Sequence, residues 1–227
     1  MKKDKFENRQ IVLGGRYGYL DIQFLPNEKG YGKKKFLKYV DENAFVFTDP
    51  HLCYSEMDRL YAMVDMINEV VKEDDTLVCL GDWDGRHGIN GDDGLDLIYK
   101  FFDGINCKHR FNILGNNDLW EIKELKDAGK FEGIDTRFSF YYNRKKIILS
   151  HCPLPTGRDE FNIHGHNHGS GTNWGANGDN HFDVYVEKFY PIRIKDCIEK
   201  IQSGEYTATR VDYDFLADAK RCGYITY

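Results

Sequence analysis

The sequence predicts a single α/β domain, and three observations carry that prediction. From Phe45 onward, short apolar β-prone runs alternate with amphipathic helical patterns, which is the signature of strands joined by crossover helices. The 227 residues are 41% hydrophobic and 15% aromatic, enough to cover a sheet on both faces without disulfides. No internal repeat or low-complexity linker divides the chain. The expected organisation is one domain over 1–227. Its catalytic core is expected at 41–203, with an N-terminal extension at 1–40 and a C-terminal segment at 204–227.

Each element has its own local reason. Ile11 to Leu13 and Tyr19 to Phe24 flank Gly14-Gly15 and Gly18, so a hairpin or a short edge addition to the main sheet is expected there. The clearest helix starts at Ser55, where Asp58 completes a capping-box pattern, and Leu60, Met63, Val64, Ile67 and Val71 form its apolar face. A second follows Asp92-Asp93, with Leu95, Ile98, Tyr99 and Phe102 on one face and Gly104 as its stop. A third spans Leu119 to Ala128 and ends at Gly129. Lys195 to Gln202, closed by Gly204, and Phe215 to Cys222, closed by Gly223, read as two short C-terminal helices.

Composition narrows the setting. No apolar run approaches the roughly 20 residues that span a bilayer, and Met1 to Asn8 is charged with no apolar stretch behind it, so no membrane partner or export is expected. The six cysteines are scattered without a CxxC pair, which suits reduced thiols in the cytoplasm. The net charge of −6 divides into +6 for residues 1–40 and −12 for the rest. Carboxylates gathered around metal ions would account for part of the acidic excess. The cluster Lys33, Lys34, Lys35 and Lys38 reads either as a solvated face or as a meeting point for an anionic substrate.

Five apolar runs each end in a polar group that can bind a hard or borderline metal ion. Ala44 to Phe47 leads to Asp49 and His51. Leu77 to Leu80 leads through Gly81 to Asp82, and Phe111 to Leu114 leads through Gly115 to Asn116. Ile147 to Leu149 leads through Ser150 to His151, and Phe161 to Ile163 leads into His164-Gly165-His166-Asn167-His168. Ligands of open α/β sheets bind outside the carboxyl ends of strands, so these five ends can converge on one crevice. Asp49 and His51 are two apart, as are His166 and His168, and residues at that spacing in extended chain point to one side. Glycines 81, 115 and 165 permit sharp turns and close backbone approach beside them.

The order D-x-H, G-D, G-N-x-D, S-H, G-H-x-H resembles the calcineurin-like metallophosphoesterase superfamily, small single-domain phosphohydrolase branch, from Asp49 to His168. His181 to Val186 and Tyr190-Pro191 are similar to its closing strands. The resemblance implies an αββα sandwich of mixed β-sheets flanked by helices. It implies that Asp49, His51 and His168 bind one metal, that Asn116, His151 and His166 bind a second, and that Asp82 bridges them. The cofactors implied are two divalent transition-metal ions, with Mn expected in vitro and Fe, Zn, Ni or Co also suited to an all-oxygen-and-nitrogen ligand set. A hydroxide shared by the two ions would attack phosphorus in line, with Asn116 touching a phosphate oxygen.

One position departs from the pattern. The superfamily usually carries a histidine after the metal-binding Asn, and here it is Asn117, which cannot donate a titrating proton. Asp118, the usual partner of that histidine, is present, so Asn116, Asn117 and Asp118 form the expected catalytic set. Arg86 or His87, in the loop after Asp82, is the alternative proton source. Cys53 and Cys152 read as spectators, and Trp83, Trp120 and Trp174 as pocket walls or core.

The expected function is therefore metal-dependent hydrolysis of a phosphodiester, phosphomonoester or nucleotide, with a small phosphate-containing molecule as the partner. Within the superfamily a nuclease or a protein phosphatase is the enzymic alternative; nucleic acid as a partner has only the one lysine cluster behind it. A binding scaffold that keeps a metal site without catalysis is the alternative of a different class. Metal content separates that class from the enzymes.

Overall fold

The computed structural model describes residues 9–14, 18–23, 31–52, 57–83, 92–115, 118, 122–154, 156–168, 180–184 and 190–204. They form a mixed α/β fold with two larger sheets. The five-stranded sheet has the order β11-β3-β4-β5-β6, built from Ile192–Arg193, Phe45–Phe47, Thr76–Cys79, His109–Ile113 and Gly133–Asp135. Its strands β3 to β6 are parallel, and β11 runs antiparallel to β3. The four-stranded sheet has the order β10-β9-β8-β7, from His181–Asp183, Glu160–His164, Lys145–Ser150 and Arg137–Tyr142. Here β8, β9 and β10 are parallel and β7 is antiparallel to β8.

Helices α2 (Met57–Val70), α3 (Asp92–Gly104) and α4 (Ile122–Asp127) are the crossovers between successive parallel strands, as parallel pairing requires. The apolar stripe read from the sequence is buried in α2 at Leu60, Met63, Val64 and Ile67, and it joins Ile98, Phe101 and Phe102 of α3 against Phe45, Phe47 and Leu77. A second apolar cluster joins Val46, Val78 and Phe111 of the five-stranded sheet to Ile147, Leu149 and Ile163 of the four-stranded one. Helices therefore cover one face of the larger sheet and the smaller sheet its other face, which explains why its strands read as continuous apolar runs.

Ser55 and the segment 205–227, with its expected helix at Phe215 to Cys222, lie outside the described residues. Helix α4 starts at Ile122, and α5 (Ile194–Ser203) ends at Gly204, whose φ of 74° makes the left-handed C-terminal stop. In the N-terminal region, β1 (Arg9–Gly14) and β2 (Gly18–Gln23) pair with each other as a separate two-stranded sheet. The lysine cluster is helical: α1 (Lys33–Tyr39) buries Phe36 while Lys33, Lys34, Lys35 and Lys38 are exposed. No helix among the described residues is long and apolar enough to cross a membrane.

Candidate metal centre

All five apolar runs are strands, but they belong to two sheets: β3, β4 and β5 to one, β8 and β9 to the other. Backbone bonds tie their carboxyl ends together. Past the end of β3, Asp49 N–H donates to Gly81 O at 3.0 Å, His51 N–H to Asp82 O at 3.1 Å and Leu52 N–H to Trp83 O at 2.8 Å. Past the end of β9, Gly165 N–H donates to His151 O at 2.9 Å and His166 N–H to Asp49 Oδ2 at 3.0 Å, which links the two sheets.

Glycine is required where these ends meet. Gly81 has a φ of 92°, and a Cβ on it would lie 2.4 Å from Gly115 N. A Cβ on Gly165 would lie 2.0 Å from Thr48 Oγ1 and 2.5 Å from Asp49 Oδ2. Both distances are shorter than any carbon tolerates, so a side chain at either position would push the strand ends apart.

Asp49, His51 and His168 form one group of donors. Asp49 Oδ2 accepts from Thr48 Oγ1 at 2.8 Å as well as from His166 N–H, which fixes the carboxylate plane. Its Oδ1 is buried, accepts no hydrogen bond among the described residues, and faces Nε2 of His51 at 3.7 Å and Nε2 of His168 at 3.5 Å. Those two imidazole nitrogens are 3.1 Å apart. Burial pushes the His51 imidazolium below its ordinary range.

Asp82, His151 and His166 form the other arm. His151 Nε2 lies 3.3 Å from Asp82 Oδ2 and 3.1 Å from His166 Nδ1. At its other ring nitrogen, His151 Nδ1–H donates to Leu80 O at 2.7 Å, which orients the ring and directs Nε2 at the cluster. Burial opposes a charge on His151, yet the carboxylates of Asp82, Asp49 and Asp118 outweigh it and raise the imidazole to about 10. Burial likewise opposes the charge on Asp82, and the His151 imidazolium holds that carboxyl well below its usual range. His166 is pushed down to about 3 by burial and by the neighbouring His151 charge.

The donor atoms of Asp49, His51 and His168, and those of Asp49, Asp82 and His151, each lie within 4.8 Å of one another and could hold a metal ion. The fit is chemical as well as spatial. A cation at ordinary ligand distances of about 2.0–2.2 Å sets neighbouring donors roughly 3–3.5 Å apart, close to the spacings found here. Two imidazole nitrogens face each other in both arms, an arrangement that one shared cation satisfies at once.

The backbone carries a further mark. Asp49, His51, Asp82, His166 and His168 all have positive φ, between 43° and 71°. Among the described residues, only two other non-glycine residues share that conformation, Asn143 and Arg144, which form the two-residue turn between β7 and β8. Left-handed backbone costs about 1–2 kcal/mol per such residue, and clusters of it mark functional sites. This corrects the expectation that extended chain directs Asp49 with His51, and His166 with His168, to one side. Left-handed turns bring Asp49 and His51 together and direct His166 and His168 to different arms of the centre.

Asp118, expected as a catalytic residue, is buried and bonded to backbone. Its Oδ2 accepts from Asp82 N–H at 3.0 Å and Gly115 N–H at 2.7 Å, and its Oδ1 accepts from Trp83 N–H at 3.0 Å. Burial and the neighbouring Asp82 carboxylate push its carboxyl up, against the Gly115 and Asp82 amides and the His151 charge. It is a positioning residue that holds the ends of β4 and β5 together. Asn116, Asn117, Arg86 and His87 lie outside the described residues, as do Cys53, Trp120 and Trp174. Trp83 is fully buried in the core.

Two other expectations change. Cys152, read as a spectator, has its Sγ within 4.8 Å of donor atoms of both His151 and His166. Its adjacency to His151 was the only signal in the sequence. Lys35 does not reach the centre: its Nζ pairs with Glu132 Oε1 at 2.9 Å, before the start of β6 and so at the opposite end of the sheet.

No family model matches the chain, and no curated protein sequence matches it. Among solved structures, the chain is similar to a protein of unknown function from Aquifex aeolicus, with a TM-score of 0.52 and 18% identity over 70% of this chain and 98% of that one. The nuclease MPE of Pseudomonas putida aligns with a TM-score of 0.37 and 18% identity over 56% of this chain and 62% of its own. A conserved uncharacterized protein from Streptococcus pneumoniae, whose name calls it a predicted phosphoesterase, aligns with a TM-score of 0.26 and 15% identity over 55% and 62%. The likeness to the first is one of fold.

Proposed function

We propose that this chain is a dinuclear metal-dependent phosphoesterase of αββα sandwich architecture, related to the calcineurin-like metallophosphoesterases. The observation that carries the proposal is the meeting of Asp49, His51, Asp82, His151, His166 and His168, from strand ends of two sheets, with donor spacings suited to cations. Asn116 is the seventh ligand in this reading. Two divalent ions, manganese, iron, zinc, nickel or cobalt, would supply Lewis-acid polarisation of a phosphoryl oxygen and an activated water.

The chain's own residues have definite tasks. Asp49 presents one oxygen while Thr48 and His166 N–H hold the other, so the carboxylate needs no reorganisation on loading. His151 keeps Nε2 directed at the cluster through its bond to Leu80 O and must give up its extra proton before it can act as a ligand. Asn116 contacts a phosphate oxygen, and Asn117 hydrogen-bonds the substrate without acting as an acid; His87 is the second candidate for proton donation. A substrate with a good leaving group, such as an anhydride or aryl ester, suits a site of that kind. A cytoplasmic setting is consistent with buried thiols at Cys79, Cys107 and Cys152 that are not in disulfides.

The test is a panel assay on metal-reconstituted protein of known metal content. A phosphodiester, a phosphomonoester, a cyclic nucleotide, a dinucleoside polyphosphate and an oligonucleotide are each offered with manganese. Hydrolysis that chelation abolishes and manganese restores is the expected result, and the preferred substrate separates the small-molecule esterase from the nuclease. Two bound ions with no hydrolysis of any substrate would mean a binding scaffold.

A further inference from the structure

The loop after β8 presents two neighbouring side chains to the same place. His151 and Cys152 both lie on a bend, where consecutive residues of an extended strand would diverge. The bend is pinned: Ser150 Oγ–H donates to Cys152 O at 2.7 Å, Asn162 Nδ2 donates to Ser150 Oγ at 2.8 Å, and Leu154 N–H donates to Asn162 Oδ1 at 2.7 Å. Cys152 is 2% exposed, and burial, with the carboxylates of Asp82 and Asp49, pushes its thiol up. His166 Nδ1, 3.1 Å from His151 Nε2, completes the group, and the donor atoms of His151, Cys152 and His166 lie within 4.8 Å of one another.

We propose that Cys152 Sγ is a ligand, as the thiolate, of the metal ion held by His151 and His166. This rests on the metal centre proposed above. Sγ lies within 4.8 Å of donor atoms on both histidines, a spacing that one cation with nitrogen bonds of about 2.0–2.1 Å and a sulfur bond of about 2.3 Å can span after small adjustment. On loading, the thiol proton leaves to solvent and the sulfur lone pair forms the metal bond. A sulfur donor changes what the position selects: imidazole and carboxylate alone accept manganese, whereas an added thiolate favours zinc, cobalt or iron.

The test uses the full chain loaded with cobalt. Wild-type protein is expected to show the visible d–d bands of a bound ion together with a thiolate-to-cobalt charge-transfer band in the near ultraviolet. Cys152→Ser is expected to keep the d–d bands and lose the charge-transfer band. Its ratio of zinc to manganese affinity should fall at least about tenfold, the lower end of what losing a weaker outer-shell partner does. The d–d bands without charge transfer in wild type, or charge transfer that persists in Cys152→Ser, overturn the thiolate ligand and leave the metal centre standing. Absence of d–d bands overturns both. If Cys152→Ser does not fold, cadmium NMR of wild-type protein decides alone: a resonance shifted strongly downfield supports the thiolate, and one in the nitrogen-and-oxygen range overturns it.

Discussion

Two clusters of titratable side chains sit at opposite ends of the five-stranded sheet, and they differ in partners and in backbone conformation. At the amino-terminal ends of β5 and β6, His109 Nδ1 pairs with Glu132 Oε2 at 2.8 Å, Lys35 Nζ pairs with Glu132 Oε1 at 2.9 Å, and the Tyr39 ring stacks on His109 at 3.9 Å. Both oxygens of Glu132 have partners there, and water reaches the group. At the carboxyl-terminal ends, imidazole faces imidazole, the buried Asp49 Oδ1 accepts no hydrogen bond among the described residues, and five side chains stand on left-handed backbone. A cluster that satisfies itself is architecture. The other gathers side chains whose donor atoms lie within 4.8 Å of one another in groups that could hold a cation.

The comparison is broken or sharpened most severely by activity. Asp82→Asn and His151→Ala are each expected to lower metal-dependent hydrolysis by more than about 10²-fold, at least as much as losing one transition-state hydrogen-bond donor costs other enzymes, while circular dichroism stays native. Glu132→Gln, in the opposite cluster, should leave the rate unchanged. Equal losses in both clusters would end the distinction.

The next effect is on stability. Gly81→Ala meets both a φ of 92° and the Gly115 backbone, so it should lower the unfolding free energy by about 2–3 kcal/mol. Gly129→Ala, at a φ of 67° with nothing within 4 Å, meets strain alone and should lose about 1 kcal/mol. Urea titrations of the two variants that coincide would show that the strand ends separate without resistance.

Smaller still is the dependence on pH. His164 and His181 are buried beside the centre and are not among its expected ligands; burial holds them neutral, at about 3 and about 4 against an ordinary 6.5. Because the folded values are depressed, the unfolded chain binds more protons. The stability is complete above pH 6.5 and is lost as pH falls through 4 toward 3. Urea midpoints should decline below pH 6.5, each histidine contributing at most about 1.4 kcal/mol per pH unit, and His181→Asn should flatten the decline.

Much of this was legible in the sequence because each ligand follows an apolar run directly, and a buried strand that stops at a polar residue leaves few places for that residue to go. The helices α2 and α3 were legible for the same reason of period. The left-handed turns were not, since Asp and His are ordinary residues and nothing in D-x-H announces a positive φ. Helix α1 was hidden by four lysines around a single buried Phe36. Asp118 was read as the usual partner of the family's histidine, and its three bonds to backbone amides had no signal in the sequence. Cys152 was read as a spectator, and its place beside His151 and His166 is set by the bend after β8, which has no signal in the sequence.

Asp118 has a thermodynamic consequence. Its carboxylate joins the ends of β4 and β5 as the protein stands, and Asp49 joins the end of β3 to the end of β9. Taking up a cation therefore orders little additional backbone and removes little apolar surface from water. Calorimetry of loading should give a heat-capacity change close to zero, unlike a domain that folds around its metal, where the large negative change of coupled folding dominates.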